Sequence, residues 1–239
     1  MKAPEQAPEP AIGSAPGWPL VLYYHHVHPT LRHYCSVTPS DLRRGLELVL
    51  SAFEGGSQDP HCAASRVVGG GDRPSVLVTF DDGYADVLDH GLAVLDDLGV
   101  KAVMFLVTSW VGRRTPDTSQ SCMTWADARS LAAQGHVIGA HTVTHPKLSA
   151  LDGGCQTSQI EGSVAKVSSE VGGCVPFAYP YGVKGECSPG DERSAFGSVK
   201  AAARPWDDQH AEIRRTYLPT GAPERWPGLI ANWRTQWER

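Results

Sequence analysis

Apolar and polar positions along the chain alternate between short apolar runs and longer amphipathic stretches. The clearest run opens Val76–Tyr84 (VLVTFDDGY), where Val76, Val78 and Phe80 share one face and Leu77, Thr79 and Asp81 the other. Bounded by Pro74 and Gly83, it predicts a buried strand. Further strands are predicted at Pro19–Val27 (PLVLYYHHV), Lys101–Val107, His136–His141, Val175–Tyr179, Ser198–Ala203 and Glu212–Leu218. Between them the pattern predicts helices. One starts at Thr38-Pro39-Ser40-Asp41 and runs to about Leu50, with proline and acid in its first turn. An amphipathic helix over Ala85–Leu98 is stopped by Gly99, and a Thr124-capped helix runs to Gln134. Gln156–Val171, a short Asp191–Phe196 and a closing Pro223–Trp237 complete the set, while Ser51–Arg73 has no periodicity and reads as a long surface loop.

Seven near-continuous apolar runs alternating with helices imply strands buried on both faces, hence a parallel sheet. Polar residues recur at the C-terminal ends of these runs, where barrel active sites lie. The predicted fold class is therefore α/β, an irregular (β/α)7 barrel of parallel strands with its site at those ends, with an open doubly wound sheet as the other arrangement of the same elements. Residues 1–18, rich in Pro, Ala and Glu, are expected to form a disordered arm, and residues 19–239 a single catalytic domain.

Composition narrows the function. The 239 residues are 41% hydrophobic and 20% charged, ordinary for a globule with a core, and the net charge of −5 without a basic run argues against nucleic acid as a partner. No stretch approaches the roughly 18 apolar residues of a membrane span. Met1–Trp18 lacks the basic start and apolar core of a signal peptide, so the expected compartment is cytoplasmic, or secreted if a leader has been removed. The six cysteines have no CxxC spacing and read as reduced thiols. The oligomeric state stays open.

Two stretches carry chemistry. Asp81 and Asp82 end a buried strand, where carboxylates are costly without a cation. Adjacent strand residues diverge, so the pair is expected to divide between a metal and proton transfer. His141 and His145, at i and i+4 after another strand, are spaced to act as metal ligands together. With an aspartate they make a two-histidine-one-carboxylate face with open positions, suited to zinc, iron, nickel or cobalt.

The sequences TFDDG at Thr79–Gly83 and HTVTH at His141–His145 resemble the first two motifs of polysaccharide deacetylases, the NodB-homology domains of carbohydrate esterase family 4, over roughly Leu20–Leu218. The resemblance implies that Asp82, His141 and His145 hold one divalent ion, Zn2+ first and Ni2+, Co2+ or Fe2+ otherwise. It implies Asp81 as general base and a backbone N–H near Tyr181, within Tyr179-Pro180-Tyr181, for the oxyanion. Two departures stand out. The third motif usually reads Arg-x-Pro-Tyr, and this chain has Ala178-Tyr179-Pro180-Tyr181; the late Leu-x-x-His-Asp motif is also missing. Tyr24-His25-His26-Val27 and Ile213-Arg214-Arg215 instead resemble the poly-β-1,6-N-acetylglucosamine deacetylase branch. By that match His25 is the candidate acid, with His26 as the other choice, and Arg215 orients Asp81.

The aromatics Tyr84, Trp110, Trp125, Tyr179, Tyr181 and Trp206 are of a type that stacks on sugars, Tyr181 first; Asp86 and Asp89 read as a solvated helix face. The implied reaction is removal of an N-acetyl group from an amino sugar, in an oligosaccharide, a sugar nucleotide or an amino-sugar metabolite. Two alternatives keep the fold: a hydrolase of another linear or cyclic amide, and a degenerate carbohydrate-binding member.

Overall fold

The computed structural model describes residues 19–31, 36–65, 73–116, 118–190, 193–202 and 212–237. The expected arm over 1–18 and Trp206 lie outside them. The elements are β1 (Leu20–Tyr24), β2 (His26–Val27), β3 (Ser36–Val37), α1 (Pro39–Ala52), α2 (Cys62–Ser65), β4 (Val76–Phe80), a π-helical turn (Val87–Gly91) running into α3 (Leu92–Asp97), β5 (Ala102–Leu106), α4 (Trp125–Ala133), β6 (Val137–Ala140), α5 (Gly153–Val171), β7 (Phe177–Ala178), β8 (Ala195–Phe196) and α6 (Trp226–Trp237).

Six strands pair in the order β1-β4-β5-β6-β7-β8, all parallel. The curl closes through residues 212–218. Ile213 bridges Phe196 of β8 and Thr216 bridges Leu22 of β1, both parallel. Ile213 N–H donates to the Ala195 carbonyl and Thr216 N–H to the Val21 carbonyl. The seventh stave of the predicted barrel is thus present, reduced to two bridges.

Strand alternation sorts the core into layers. Val21, Leu77, Val103, Phe105, Val137, Ala178, Phe196 and Ile213 form one buried cluster inside the barrel. Their neighbours Leu22, Val78, Phe80, Met104, Ile138 and Phe177 pack outward against Leu42, Leu46, Leu95, Leu131, Ile160 and Val164 of the helices. Local chemistry fixes the helix starts. Thr38 accepts from Asp41 N–H ahead of Pro39, Thr124 and Asp127 form a reciprocal capping box, and Asp152 caps α5.

Three expectations need correction. Of the helix expected over Asp191–Phe196, residues 191–192 lie outside the described residues and Ala195–Phe196 is β8, not helix; of the strand expected over Ser198–Ala203, the described residues 198–202 hold a turn at Val199–Lys200 instead. Two apolar residues carry no period, so the acidic-basic residues before them resembled a helix start. The Ser51–Arg73 loop contains α2, whose Ala63 is wholly buried in the inner cluster, and Ser57 bridges Val76. Residues 87–91 are π-helical, with Leu92 N–H bonded to the Val87 carbonyl.

Candidate active site

The site gathers where β1, β4, β6 and β7 end. Asp82 follows β4 at φ 70°, His145 sits at φ 59° and Tyr181 at φ 59°. With Thr142 (φ 67°), four of the five non-glycine residues at positive φ among those described lie in these two motifs and the Tyr181 turn. Backbone strain concentrated at one locus is a mark of a functional constraint. Gly83 is required at φ 75°, because a Cβ there would sit 2.7 Å from Leu106 Cδ2.

Asp82 Oδ1 lies 3.4 Å from His145 Nε2 and 3.5 Å from His141 Nε2. These ligand atoms fall within 4.8 Å of one another, and this is the cluster of its kind among the described residues. Asp82 Oδ1 is buried without a hydrogen bond, facing two imidazole nitrogens. A lone buried carboxylate oxygen aimed at two nitrogen donors fits a divalent transition cation. The outer contacts agree: His141 Nδ1 lies 2.7 Å from the Ala178 carbonyl, which fixes the tautomer that leaves Nε2 toward Asp82. Thr142 Oγ1 accepts from His145 N–H at 3.0 Å, and Gln159 of α5 accepts from the Val143 and Thr144 amides, so a helix side chain holds the His-x-x-x-His turn.

Asp81 takes the other direction, into the barrel. Its carboxylate forms a two-pronged pair with Arg215, Nη1 to Oδ1 at 2.6 Å and Nη2 to Oδ2 at 2.8 Å. Arg215, 1% exposed, also donates from Nε to the Gly197 carbonyl and from Nη1 to Thr79 Oγ1, under the face of Tyr23. Burial, the largest single influence, would raise the Asp81 pKa; the charge and hydrogen bonds of Arg215, with His141 and His25 nearby, together outweigh it and hold the carboxyl at about 2. The two acids therefore divide as alternation predicts.

His25 lies at the break between β1 and β2, its Nε2 3.9 Å from Asp82 Oδ2. His26 turns away: its Nδ1 is 2.7 Å from Asp86 Oδ2 and its ring stacks on Tyr84 at 3.7 Å. Of the two candidates, His25 is the one beside Asp82. Asp86 is consequently not part of a solvated face, although Asp89 is exposed. A helical wheel cannot reveal Asp86's partner, which arrives from a strand sixty positions earlier.

Tyr181 is 55% exposed, with its ring 4.9 Å from that of His145, and Trp110 flanks the same histidine at 5.3 Å. Tyr179 is not brought to the site. It is 1% exposed and packs edge-on against Phe177, because the residue after β7 faces the helices. Trp125 lies under Lys166 rather than at the site. Thr79 and Gln159 were missed as supporting residues; alternation alone put Thr79 on the Asp81 face.

The fold and site together are those of a parallel α/β barrel that carries two histidines and two divergent carboxylates at its strand ends. Residues 69–188, half of the chain, match the family model for polysaccharide deacetylase, and the chain belongs to that family. It is 32% identical over 111 residues to a chitooligosaccharide deacetylase of Bradyrhizobium sp., covering 44% of this chain and 42% of that one. The chain spans less than half the length of the curated relatives it matches. Its fold resembles that of IcaB from Ammonifex degensii (TM-score 0.73, 24% identity, 94% of this chain and 98% of that one). It also resembles the Streptococcus pyogenes deacetylase PplD (TM-score 0.71, 18% identity, 92% and 99%). No helix among the described residues is long and apolar enough to cross a membrane.

Proposed function

We propose that the chain removes the acetyl group from an N-acetylated amino sugar, with a divalent transition cation held by Asp82, His141 and His145, zinc first. The observation that carries this reading is the convergence of Asp82 Oδ1 on the two Nε2 atoms, 3.4 and 3.5 Å away. Such an ion, when bound, supplies Lewis acidity and lowers the pKa of a coordinated water.

The remaining work falls to this chain's own groups. Asp81, kept ionised by Arg215, accepts the proton that the attacking water gives up as its oxygen bonds to the acetyl carbon. Arg215 holds both carboxylate oxygens, so Asp81 has one orientation and no freedom to swing toward Asp82. The carbon–nitrogen bond then breaks, and the departing nitrogen takes a proton from His25, because an unprotonated amide nitrogen is too basic to leave. The products are acetate and a free amine. Tyr181 and Trp110 offer exposed or half-buried ring faces beside His145 for the sugar.

The carbohydrate relatives favour an oligosaccharide, sugar nucleotide or amino-sugar metabolite over a cyclic amide. The test is acetate release from N-acetyl sugars, sugar nucleotides and chito-oligomers after loading with zinc or cobalt. Asp81→Asn should lower kcat by at least about a hundredfold with metal content unchanged. Asp82→Asn should lose the metal. Acetate from none of the substrates, or undiminished metal affinity in Asp82→Asn, overturns the reading.

A further inference from the structure

The His25 side chain stands at the point where β1 stops and β2 begins. The last ladder bond, Asp81 N–H to the Tyr24 carbonyl at 2.9 Å, holds the residue before it, and the Tyr23 ring lies 6.0 Å away, while residue 25 itself falls between the two ladders. β1 ends with Tyr24 beside Phe80 of β4, while β2 resumes at His26 beside Ser36 of β3, in a separate two-stranded sheet. What fixes the turn is the grip on the two residues that follow. His26 Nδ1 meets Asp86 Oδ2 at 2.7 Å, and Val27 N–H donates to Asp86 Oδ1 at 3.4 Å. The His26 ring lies flat on Tyr84, 25° from parallel. Val27 packs on Gly91, where an added Cβ would come within 3.1 Å of Val27 Cγ2. All these contacts come from residues 84–91, the continuation of the segment that bears Asp81 and Asp82.

We infer that Asp86, through His26, is a positioning residue that aims His25 at the departing nitrogen. One carboxylate takes both the ring and the following amide, so the backbone just past residue 25 is held on one side. Neither His26 nor Asp86 touches the reacting atoms. The inference rests on the reading of His25 as the acid.

The test separates proton donation from everything else by changing the leaving group. An N-acetyl sugar needs its nitrogen protonated; an activated aryl acetate does not, since a phenolate leaves unaided. Asp86→Ala should lower kcat on the amide by about tenfold to a hundredfold, lower kcat on the aryl acetate by no more than about threefold, and leave zinc affinity by calorimetry unchanged. The isosteric Asp86→Asn, the safer variant to fold, should show the same split more weakly, and His26→Ala should match Asp86→Ala. If amide and ester activities fall together, or zinc is lost, the pair is merely structural and the inference is overturned. An unchanged amide-to-ester ratio in Asp86→Ala beside a lowered one in His25→Ala overturns the inference alone. An unchanged ratio in His25→Ala removes His25 as the acid, and the inference with it.

Discussion

The two sides of the barrel hold the site by different means. On one side β1, β4, β5 and β6 are four or five residues long, buried throughout and joined by continuous ladders. Asp81 and His141 are the next residues after two of those ladders, and Asp82 follows directly. On the other side β7 and β8 have two residues each and the last stave is two bridges. There a side chain does what the ladder cannot. Arg215 ties the end of β8, through the Gly197 carbonyl, to Thr79 and Asp81 across the interior. A short, irregular strand can still serve a site when one buried cation spans the gap.

The contrast between the two sides turns on Arg215. Arg215→Met would leave Asp81 buried among apolar groups without its cation, a change that costs about 3–5 kcal/mol. Arg215→Lys restores the charge but not the fork that meets both oxygens, so it should recover only part of that loss. Urea denaturation of the three proteins reads this directly. A loss below about 1 kcal/mol for Arg215→Met would mean that packing, not the ion pair, holds the second side.

The same contrast explains what could be read from residues alone. Long apolar runs with capping residues gave β4, β5, α1 and α4 nearly to their ends, and strand alternation separated Asp81 from Asp82. The His-x-x-x-His spacing placed His141 and His145 together without any knowledge of the fold. On the second side the runs at Val175–Tyr179 and Glu212–Leu218 gave β7 and the last stave, but β8 was illegible because Ala195–Phe196 is too short to show a period and its neighbours Asp191 to Ser194 mimic a helix start. Arg215 was reached only through resemblance, since its partner is 134 positions away. The burial of Tyr179 is not legible from the motif, because membership in a motif says nothing about which face of a strand end a ring occupies. Asp86 was read as solvated for the same reason that its partner is distant in sequence.

Two glycines probe the two sides at the level of single turns. Gly99 (φ 64°), after α3 on the first side, and Gly182 (φ 60°), after Tyr181 on the second, share a left-handed backbone. A Cβ at Gly99 meets nothing within 4 Å, whereas one at Gly182 would fall 2.2 Å from Ser198 Cβ and 3.0 Å from its backbone nitrogen. Gly99→Ala should therefore cost about 1 kcal/mol, from φ alone. Gly182→Ala should cost about 2–3 kcal/mol and also raise KM by displacing Tyr181. Equal losses would show that the loops after β7 and β8 yield without strain.

On the first side a buried histidine makes the strand contact depend on pH. His136 immediately precedes β6, is 1% exposed, and its Nδ1 accepts the Ala102 N–H of β5 at 3.1 Å. That bond requires an unprotonated Nδ1. Burial first, and the nearby Lys101 ammonium second, push its pKa from 6.5 down to about 4, with Asp96 opposing. Because the folded value is the lower one, the unfolded chain binds the proton first as pH falls. The contribution of His136 is thus complete above about pH 6.5 and is lost progressively between there and about pH 4. His136→Gln removes the titration while keeping an acceptor, at a cost on the order of 1 kcal/mol at neutral pH. Denaturation midpoints of the two proteins, measured from neutral pH down through this window, should converge and then cross, because the loss from a pKa held at about 4 exceeds about 1 kcal/mol before the window ends. A gap that stays constant across the window would show that the ring does not titrate there, and that the β5–β6 ladder is held without regard to its charge.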